Sequence, residues 1–225
     1  MVSVTHAISQ GDTAPPIDML AAGLDAQERV LIEQALDWIA DLYEGKVLGT
    51  GESIWTHALG AALITASLRM DAETRIAALL FAAWEELDDP GEEIGARFGT
   101  TIAGLVRGLH KLNGLRVLTR LTSTTSAPEI RAQTEVLRKM LLAMVEDIRG
   151  VLVRLASRTQ TLRYYTDLPG EGRVDVARES LDIYAPLANR LGVWQIKWEL
   201  EDLSFRFIEP DTYKRIAKML DERRV

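Results

Sequence analysis

Apolar residues recur at helical spacing through most of the chain. In residues 26–43 they form one face, made of Val30, Leu31, Leu36, Ile39 and Leu42. Intervals of three and four residues place side chains on one side of an α-helix. The same pattern predicts helices over residues 57–70, 73–86, 90–98, 100–112, 129–146, 148–165 and 173–191. No convincing strand and no internal repeat interrupts it, so we predict an all-α fold.

The most regular pattern lies between residues 183 and 207. Its apolar positions are Ile183, Leu187 and Leu191 in a first run, and Ile196, Leu200, Leu203 and Phe207 in a second. Gly192 separates the two runs, and a glycine here can adopt the left-handed conformation that ends a helix. The pattern predicts a helical hairpin. A final amphipathic helix is predicted from Tyr213, Ile216 and Leu220.

The segments between these helices carry turn residues. Residues 1–25 are rich in Gly, Pro, Ser and Thr without periodicity, and we expect a loose leader there. The run GKVLGTGES at residues 45–53 precedes a helix, where glycines can cradle phosphate. It follows no strand, so a flexible connection is the preferred interpretation. Residues 116–128 are predicted to form a mobile loop and residues 167–172 a turn.

Composition limits the classes of protein that the chain can represent. Its 225 residues, 47% of them hydrophobic, suffice for one large domain, or for a domain with a helical extension. There is no cysteine, no secretion signal and no apolar run of about 18 residues, so we expect a cytoplasmic protein without a membrane partner. The net charge of −7 argues against nucleic acid as the main partner.

Four segments, in order, carry a family resemblance. They are AALLFAAWEE (77–86), FGTTIAGLVRGLHKL (98–112), RKMLLAMVEDIRGVLVRLASR (138–158) and IYAPLANRLGVWQIKWELEDLSFRF (183–207). The chain resembles the RelA/SpoT enzymes, which make and degrade the alarmone (p)ppGpp, over about residues 28–224. The resemblance implies a multi-helix bundle of the His-Asp (HD) superfamily over residues 26–170. A helical extension over residues 171–225 would lead to a synthetase domain beyond Val225, where we expect the natural polypeptide to continue.

The resemblance also identifies the positions of a metal site. Active relatives hold manganese with a His, a His-Asp pair and an Asp from the motif LADRLHNMRT. The first His matches His57, whereas the pair falls on Phe81 and Ala82, and the last Asp on Ser157. Phe and Ala cannot bind a metal, and Ser binds weakly. We therefore expect no metal and no other cofactor in this domain, with His57 as a residual ligand position.

Two carboxylates remain at positions with a role in active relatives. Glu85 and Glu86 match the acidic pair thought to activate the attacking water. Without a metal they have little to act upon, so solvated acids at a helix end are the preferred interpretation. A stray ion on His57 with Glu85 or Asp88 is an alternative. His110, in the middle of a helix, is expected to be structural.

The nucleotide pocket of the family is also altered. Its Arg-Lys-Ser stretch corresponds to residues 48–50, Leu-Gly-Thr, so two cations that pair with phosphate are absent. Glu52, Lys111 and Arg163 keep the family's residue type and remain weak nucleotide-binding candidates. Tyr164 replaces a Thr and would narrow the base site.

Together these observations predict a degenerate (p)ppGpp hydrolase domain with a regulatory and structural role. The parent protein would be a GTP pyrophosphokinase, which moves pyrophosphate from ATP to the 3′ hydroxyl of GTP or GDP. The expected partner is its synthetase domain, with guanine nucleotide as a further candidate ligand and the ribosome contacted only through other regions. Two alternatives stay open: a metal-dependent (p)ppGpp 3′-pyrophosphohydrolase with altered ligands, and a module that senses alarmone without cleaving it.

Overall fold

The computed structural model describes residues 16–114, 138, 142, 147–167, 170 and 172–222. Within these ranges the chain is helical and contains no β-strand, apart from one isolated antiparallel bridge between Val47 and Ser53. The all-α prediction is confirmed. The helix predicted over residues 129–146 and the loop predicted over residues 116–128 lie outside the described residues.

The described helices are joined in chain order by short connections, on either side of residues 115–147. They are α1 (Ile17–Leu20), α2 (Ala26–Leu42), α3 (Ile54–Ser67), α4 (Ala72–Leu79), α5 (Ala83–Glu86), α6 (Pro90–Phe98), α7 (Thr100–Gly114), α8 (Ile148–Asp167), α9 (Arg173–Glu179), a π-helical turn (Ser180–Tyr184), α10 (Ala185–Arg190), α11 (Trp194–Ile208) and α12 (Pro210–Glu222). Three predicted helices differ from these, and the one predicted over residues 173–191 contains the π-helical turn. The one predicted from His57 begins three residues earlier, and the one predicted over residues 73–86 is interrupted at residues 80–82.

Polar caps set where the helices of the first half begin. Asp25 accepts from the backbone of Glu28, and the side chain of Glu28 accepts from Asp25 N–H, which forms a capping box at α2. The side chains of Ser53 and Asp71 cap α3 and α4 by accepting from the backbone N–H groups of Thr56 and Thr74. Each cap satisfies backbone N–H groups that the first turn of a helix leaves without partners.

The chain packs into two units. The first contains residues 1–125 and 141–157, and the second contains residues 126–140 and 158–225. In the first unit α3 is buried along almost its whole length. Its core includes Leu20, Ile32, Leu36, Ile39, Ile76, Leu79, Leu80 and Val106. The described end of the predicted leader belongs to this core, because α1 is helical and Leu20 is fully buried. The predicted domain ranges 26–170 and 171–225 stay predictions.

The second unit contains the predicted hairpin. Its buried apolar side chains include Ile183, Leu187, Ile196, Leu200 and Phe207. Gly192, between α10 and α11, has a φ of +73°, the left-handed conformation that the sequence predicts at this position.

The first run of the hairpin is not a regular α-helix. It contains the π-helical turn, in which Ala185 N–H bonds to the carbonyl of Ser180. Pro186 follows and has no N–H to offer the carbonyl of Asp182, its partner in a regular α-helix. The guanidinium of Arg138 donates to that carbonyl instead, over 2.8 Å. A long side chain thus satisfies a backbone group that the proline leaves exposed.

Candidate functional site

The glycine-rich run before α3 forms a tight, hydrogen-bonded loop. Gly45 and Gly51 have φ values of +68° and +86°, which favour glycine. Leu48 N–H bonds to the carbonyl of Glu52 over 2.8 Å, and Gly51 N–H to that of Leu48 over 2.8 Å. The loop directs the side chain of Glu52, 2% exposed, into the first unit.

His57 lies one turn into α3 and is 2% exposed. Its Nδ1 is 2.7 Å from Oε2 of Glu52, and its Nε2 is 2.8 Å from Oγ of Ser157. As a carboxylate, Glu52 can only accept, so Nδ1 donates to it. In the neutral imidazole, Nε2 is then an acceptor for the hydroxyl of Ser157. Both ring nitrogens of His57 are therefore occupied by side chains of this chain.

Apolar groups surround this His57 cluster, which consists of Glu52, His57 and Ser157. The ring centroid of Phe81 lies 4.8 Å from that of His57 and 6.5 Å from that of Tyr43. Ala82, next in the chain, is buried. The structure thus brings His57, Phe81 and Ser157 together, as the family resemblance implies for these positions.

The residues at these positions do not fit a metal ion. Phe81 and Ala82 have no donor atom, and both nitrogens of His57 already have partners. A divalent ion in a protein is held by several converging N, O or S ligands. In the part of the chain that the structure describes, no three His, Asp or Glu side chains form such a group.

The two retained acids of α5 have other partners. Glu86 forms an ion pair with Lys46, with 2.5 Å between Oε2 and Nζ. Glu85 is 60% exposed, and its Oε1 lies 3.6 Å from Nδ1 of His110. The ring of His110 stacks on Trp84 with centroids 6.0 Å apart. Glu85 therefore fits the interpretation of a solvated acid at a helix end, whereas Glu86 is 24% exposed and paired with Lys46.

The three weak nucleotide-binding candidates lie in different surroundings. Glu52 is buried against His57, whereas Lys111 is exposed on α7. Arg163, in the second unit, makes a bidentate ion pair with Glu199, with contacts of 2.5 and 2.9 Å. The structure therefore gives each of them a separate environment.

The second unit holds a buried cation that sequence reasoning missed. Arg158 is 1% exposed. Its Nη2 donates to Oε2 of Glu179 over 2.7 Å, and its guanidinium lies 4.3 Å from the ring centroid of Tyr184. Burial opposes the charge, but interactions with Tyr184 and Glu179 outweigh it and raise the pKa of Arg158. The sequence feature that could have identified this buried cation is an arginine between Leu155 and Leu162, on the apolar side of a predicted helix.

Arg149, at the beginning of α8, lies at the centre of a charged cluster in the first unit. It contacts Asp147 at 2.6 Å, Glu73 at 2.7 Å and Asp71 at 3.0 Å. The Arg149 guanidinium lowers the pKa of Asp147. Burial acts to raise the pKa of Asp71, but hydrogen bonds from Thr74 and Arg149 outweigh burial and lower it. The cluster connects the beginnings of α4 and α8.

Comparison with known proteins identifies the family. The family model of the HD domain matches residues 35–194, so the chain belongs to the HD domain family. A solved structure, described as a metazoan ortholog of SpoT that hydrolyzes ppGpp and plays a role in starvation responses, shares this fold. It has a TM-score of 0.50 and 19% sequence identity, over 80% of this chain and 96% of that chain.

Curated relatives confirm the resemblance to the RelA/SpoT family. The chain is 44% identical over 162 residues to a GTP pyrophosphokinase of Photobacterium angustum, covering 72% of this chain and 21% of that protein. It is 41% identical over 180 residues to the guanosine-3′,5′-bis(diphosphate) 3′-pyrophosphohydrolase of Vibrio cholerae, covering 80% and 24%. It is 38% identical over 189 residues to the bifunctional (p)ppGpp synthase/hydrolase SpoT of Escherichia coli K12, covering 84% and 26%.

These coverages place limits on what the relatives show. The chain spans about a quarter of the length of the curated relatives that it matches.

None of the described helices combines the length and the apolar character that a bilayer crossing requires.

Proposed function

We propose that this chain is a catalytically degenerate (p)ppGpp hydrolase domain with a regulatory and structural role in a RelA-type GTP pyrophosphokinase. One observation carries the proposal: His57 donates a hydrogen bond to Glu52 and accepts one from Ser157, so both of its nitrogens are occupied, with the ring of Phe81 beside them. A hydrolase of this class needs a metal-activated water at this place. The side chains present supply a closed polar contact instead of open ligand positions.

The preserved packing supports the structural side of the proposal. Among the described residues, the first unit and the hairpin of the second keep buried apolar side chains, although three of the four ligand positions carry Phe81, Ala82 and Ser157. A domain that keeps its core but loses its ligands is suited to contact with another part of the same protein. The partner that we propose is the synthetase domain. The compartment that we propose is the cytoplasm, because disulfides are rare there and this chain has no cysteine.

The test is incubation of the chain with ppGpp and Mn²⁺, with release of pyrophosphate measured against a His57→Ala control. We expect the two proteins to release pyrophosphate at the same background rate. Turnover in the wild-type chain that His57→Ala abolishes would overturn the proposal.

The same experiment decides the second candidate, a (p)ppGpp 3′-pyrophosphohydrolase with altered ligands. It is supported by the 41% identity to a named pyrophosphohydrolase and by the retention of His57, Glu85 and Glu86. Under this candidate, Glu85→Gln and Glu86→Gln would also lower turnover, because a general base would be removed. Under the proposed function, these substitutions have no activity to lower.

The regulatory role is tested in the longer protein that the proposal implies. Leu200 is fully buried in the hairpin, and Leu200→Ala removes apolar contacts there. If the hairpin influences synthesis, pyrophosphate transfer to GTP should change in that variant. Trp198→Ala on the exposed side of the same helix is the matched control. Equal synthesis by all three proteins would contradict the regulatory role.

A further inference from the structure

The π-helical turn Ser180–Tyr184 accommodates one residue more than an α-helical turn does, in the first run of the hairpin. Such turns close their hydrogen bonds over five residues and occur mostly singly, inside α-helices. The helix is packed on both sides of the turn, because Val176 and Ala177 of α9 and Leu187 and Ala188 of α10 are buried. The π-helical turn is therefore the place where this run can change its twist while both of its ends stay packed.

Arg158 of α8 contacts both ends of this turn. Its Nη2 donates to Oε2 of Glu179, the residue before the turn, over 2.7 Å. Its guanidinium lies 4.3 Å from the ring centroid of Tyr184, the last residue of the turn. In an α-helix, side chains five residues apart point about 140° away from each other around the axis. In a π-helical turn, residues five apart lie one above the other, so a single guanidinium reaches both Glu179 and Tyr184.

We propose that Arg158 holds the extra residue of this helix at positions 180–184, and that the hairpin can change its register there when these contacts are broken. The proposal concerns the second unit and does not rest on the proposed function. Arg158 is 1% exposed, so it meets Glu179 and Tyr184 away from water. A charge-assisted hydrogen bond and a cation–π contact are both stronger in such surroundings than on the surface.

Two other residues permit an irregular turn in this part of the helix. The hydroxyl of Ser180 bonds to the carbonyl of Val176 over 2.7 Å, and a bond of this kind tends to bend a helix. Pro186 has no N–H to donate. Neither residue selects one position of the turn over the next. The contacts of Arg158 do select a position, although its Nη1 is buried without a hydrogen-bond partner among the described residues, which makes the hold weaker than it could be.

The first test identifies the acceptor of the Ala185 amide by NMR, from the scalar coupling across the hydrogen bond. In the wild type we expect coupling to the carbonyl carbon of Ser180. Arg158→Met should abolish this coupling, because the extra residue is no longer held at the turn. Arg163→Met is the matched control, since it also removes an arginine of α8 that pairs with a carboxylate, Glu199 of α11. Retained coupling in Arg158→Met would overturn the proposal, and so would its loss in the control.

A second variant tests the same contact without removing the buried arginine. Tyr184→Leu keeps an apolar side chain at a buried position but removes the ring beside the guanidinium, so we expect a folded protein that has lost the same coupling. Phe207→Leu is the matched control, because it removes a ring that lies 5.0 Å from the guanidinium of Arg173, outside the turn. The coupling should persist in that control. Its persistence in folded Tyr184→Leu would show that packing alone fixes the register and would overturn the proposal.

Discussion

Oγ of Ser157 lies 2.8 Å from Nε2 of His57, although the two residues are 100 positions apart in the sequence. The contact joins α3 to α8 within the first unit. With Glu52 on the other nitrogen, it satisfies a histidine that is 98% buried. A buried polar group without partners costs free energy. The chain can therefore keep His57 in place without a metal ion.

Removal of the Ser157 hydroxyl should destabilise the domain. Ser157→Ala leaves Nε2 of His57 buried beside a methyl group, and we expect a loss of about 1–3 kcal/mol in the free energy of unfolding. Urea denaturation followed by circular dichroism measures it. Ser67→Ala is the control, because that hydroxyl bonds only to the carbonyl of Ile64 in its own helix. A loss in Ser157→Ala no larger than in the control would contradict the importance of the contact.

Restoring the ligands of active relatives should restore metal binding. In the triple variant Phe81→His, Ala82→Asp, Ser157→Asp, three donor groups would surround His57 in place of the present side chains. We expect Mn²⁺ to raise the melting temperature of this variant and not that of the wild type, because a ligand that binds only the folded state stabilises it.

The same triple variant carrying His57→Ala is the control for that experiment, and its response to Mn²⁺ should be much smaller. If the triple variant folds but its melting temperature does not respond to Mn²⁺, the four positions do not form a metal site in this chain, and their present side chains are not lost metal ligands.

Much of the fold could be predicted from the sequence, because helical periodicity reports burial directly. The face that contains Leu200 in α11 has most of its apolar side chains buried, but the face predicted for α2 was only partly right. Leu36 and Ile39 are buried as predicted, whereas Val30 and Leu31 are 48% and 37% exposed, because the helix turns Ile32 and Ala35 towards the core instead.

The interruption at residues 80–82 was not predicted, since AALLFAAWEE consists mainly of the good helix formers Ala, Leu and Glu. The π-helical turn was not predicted either. It depends on Pro186 and on the carbonyl of Asp182, which accepts from Arg138, 44 residues earlier in the sequence.

The candidate site was only partly accessible to sequence reasoning. The resemblance identified His57, Phe81 and Ser157, which do come together. The sequence indicated only a nucleotide-binding role for Glu52. No local sequence pattern shows that the glycine-rich loop places the carboxylate of Glu52 beside His57. Arg158 was missed because its partners lie 21 and 26 residues later, and pairing over that distance is a tertiary property.

The Arg149 cluster should support the domain at neutral pH. The guanidinium is 21% exposed and contacts three carboxylates, so we expect Arg149→Ala to cost about 1–2 kcal/mol. Urea denaturation is the measurement. Arg29→Ala is the control, because Arg29 has two carboxylate partners on the open surface and its loss should have little effect.

The same cluster predicts a response to acid. The pKa values of Asp71 and Asp147 are lowered in the folded state, so their contribution is present above the unfolded pKa of about 4 and is lost as pH falls through the folded values. The difference between wild type and Arg149→Ala should therefore shrink below about pH 4. A difference that stays constant down to pH 2 would contradict this linkage.

Arg75 should anchor the segment that precedes α2. Its buried guanidinium donates to the carbonyls of Leu20, Ala22 and Met70 at 2.8–2.9 Å. Arg75→Met keeps most of the side-chain volume but leaves these acceptors without their donor, so we expect a loss of about 2–4 kcal/mol. Limited proteolysis should then cut between α1 and α2 in preference to other sites. Arg178→Met, on an exposed position of α9, should change neither property.

Tyr43 should make the first unit sensitive to alkali. It is 1% exposed, and its hydroxyl donates to the carbonyl of Leu79 over 3.1 Å. Burial raises the pKa of Tyr43 well above its ordinary value. The folded state therefore keeps a proton that the unfolded chain releases at about pH 10. The stability from this group is complete below that pH and is lost as pH rises further, by about 1.4 kcal/mol per pH unit.

The comparison of wild type with Tyr43→Phe isolates this effect, because the other tyrosines are common to both. At pH 8 the wild type should be more stable by about 1 kcal/mol, from the bond to Leu79. By about pH 11 the order should reverse, since only the wild type must retain a buried phenol proton. Urea midpoints at several pH values measure both states. Parallel curves for the two proteins would mean that Tyr43 ionises in the folded chain as it does in water.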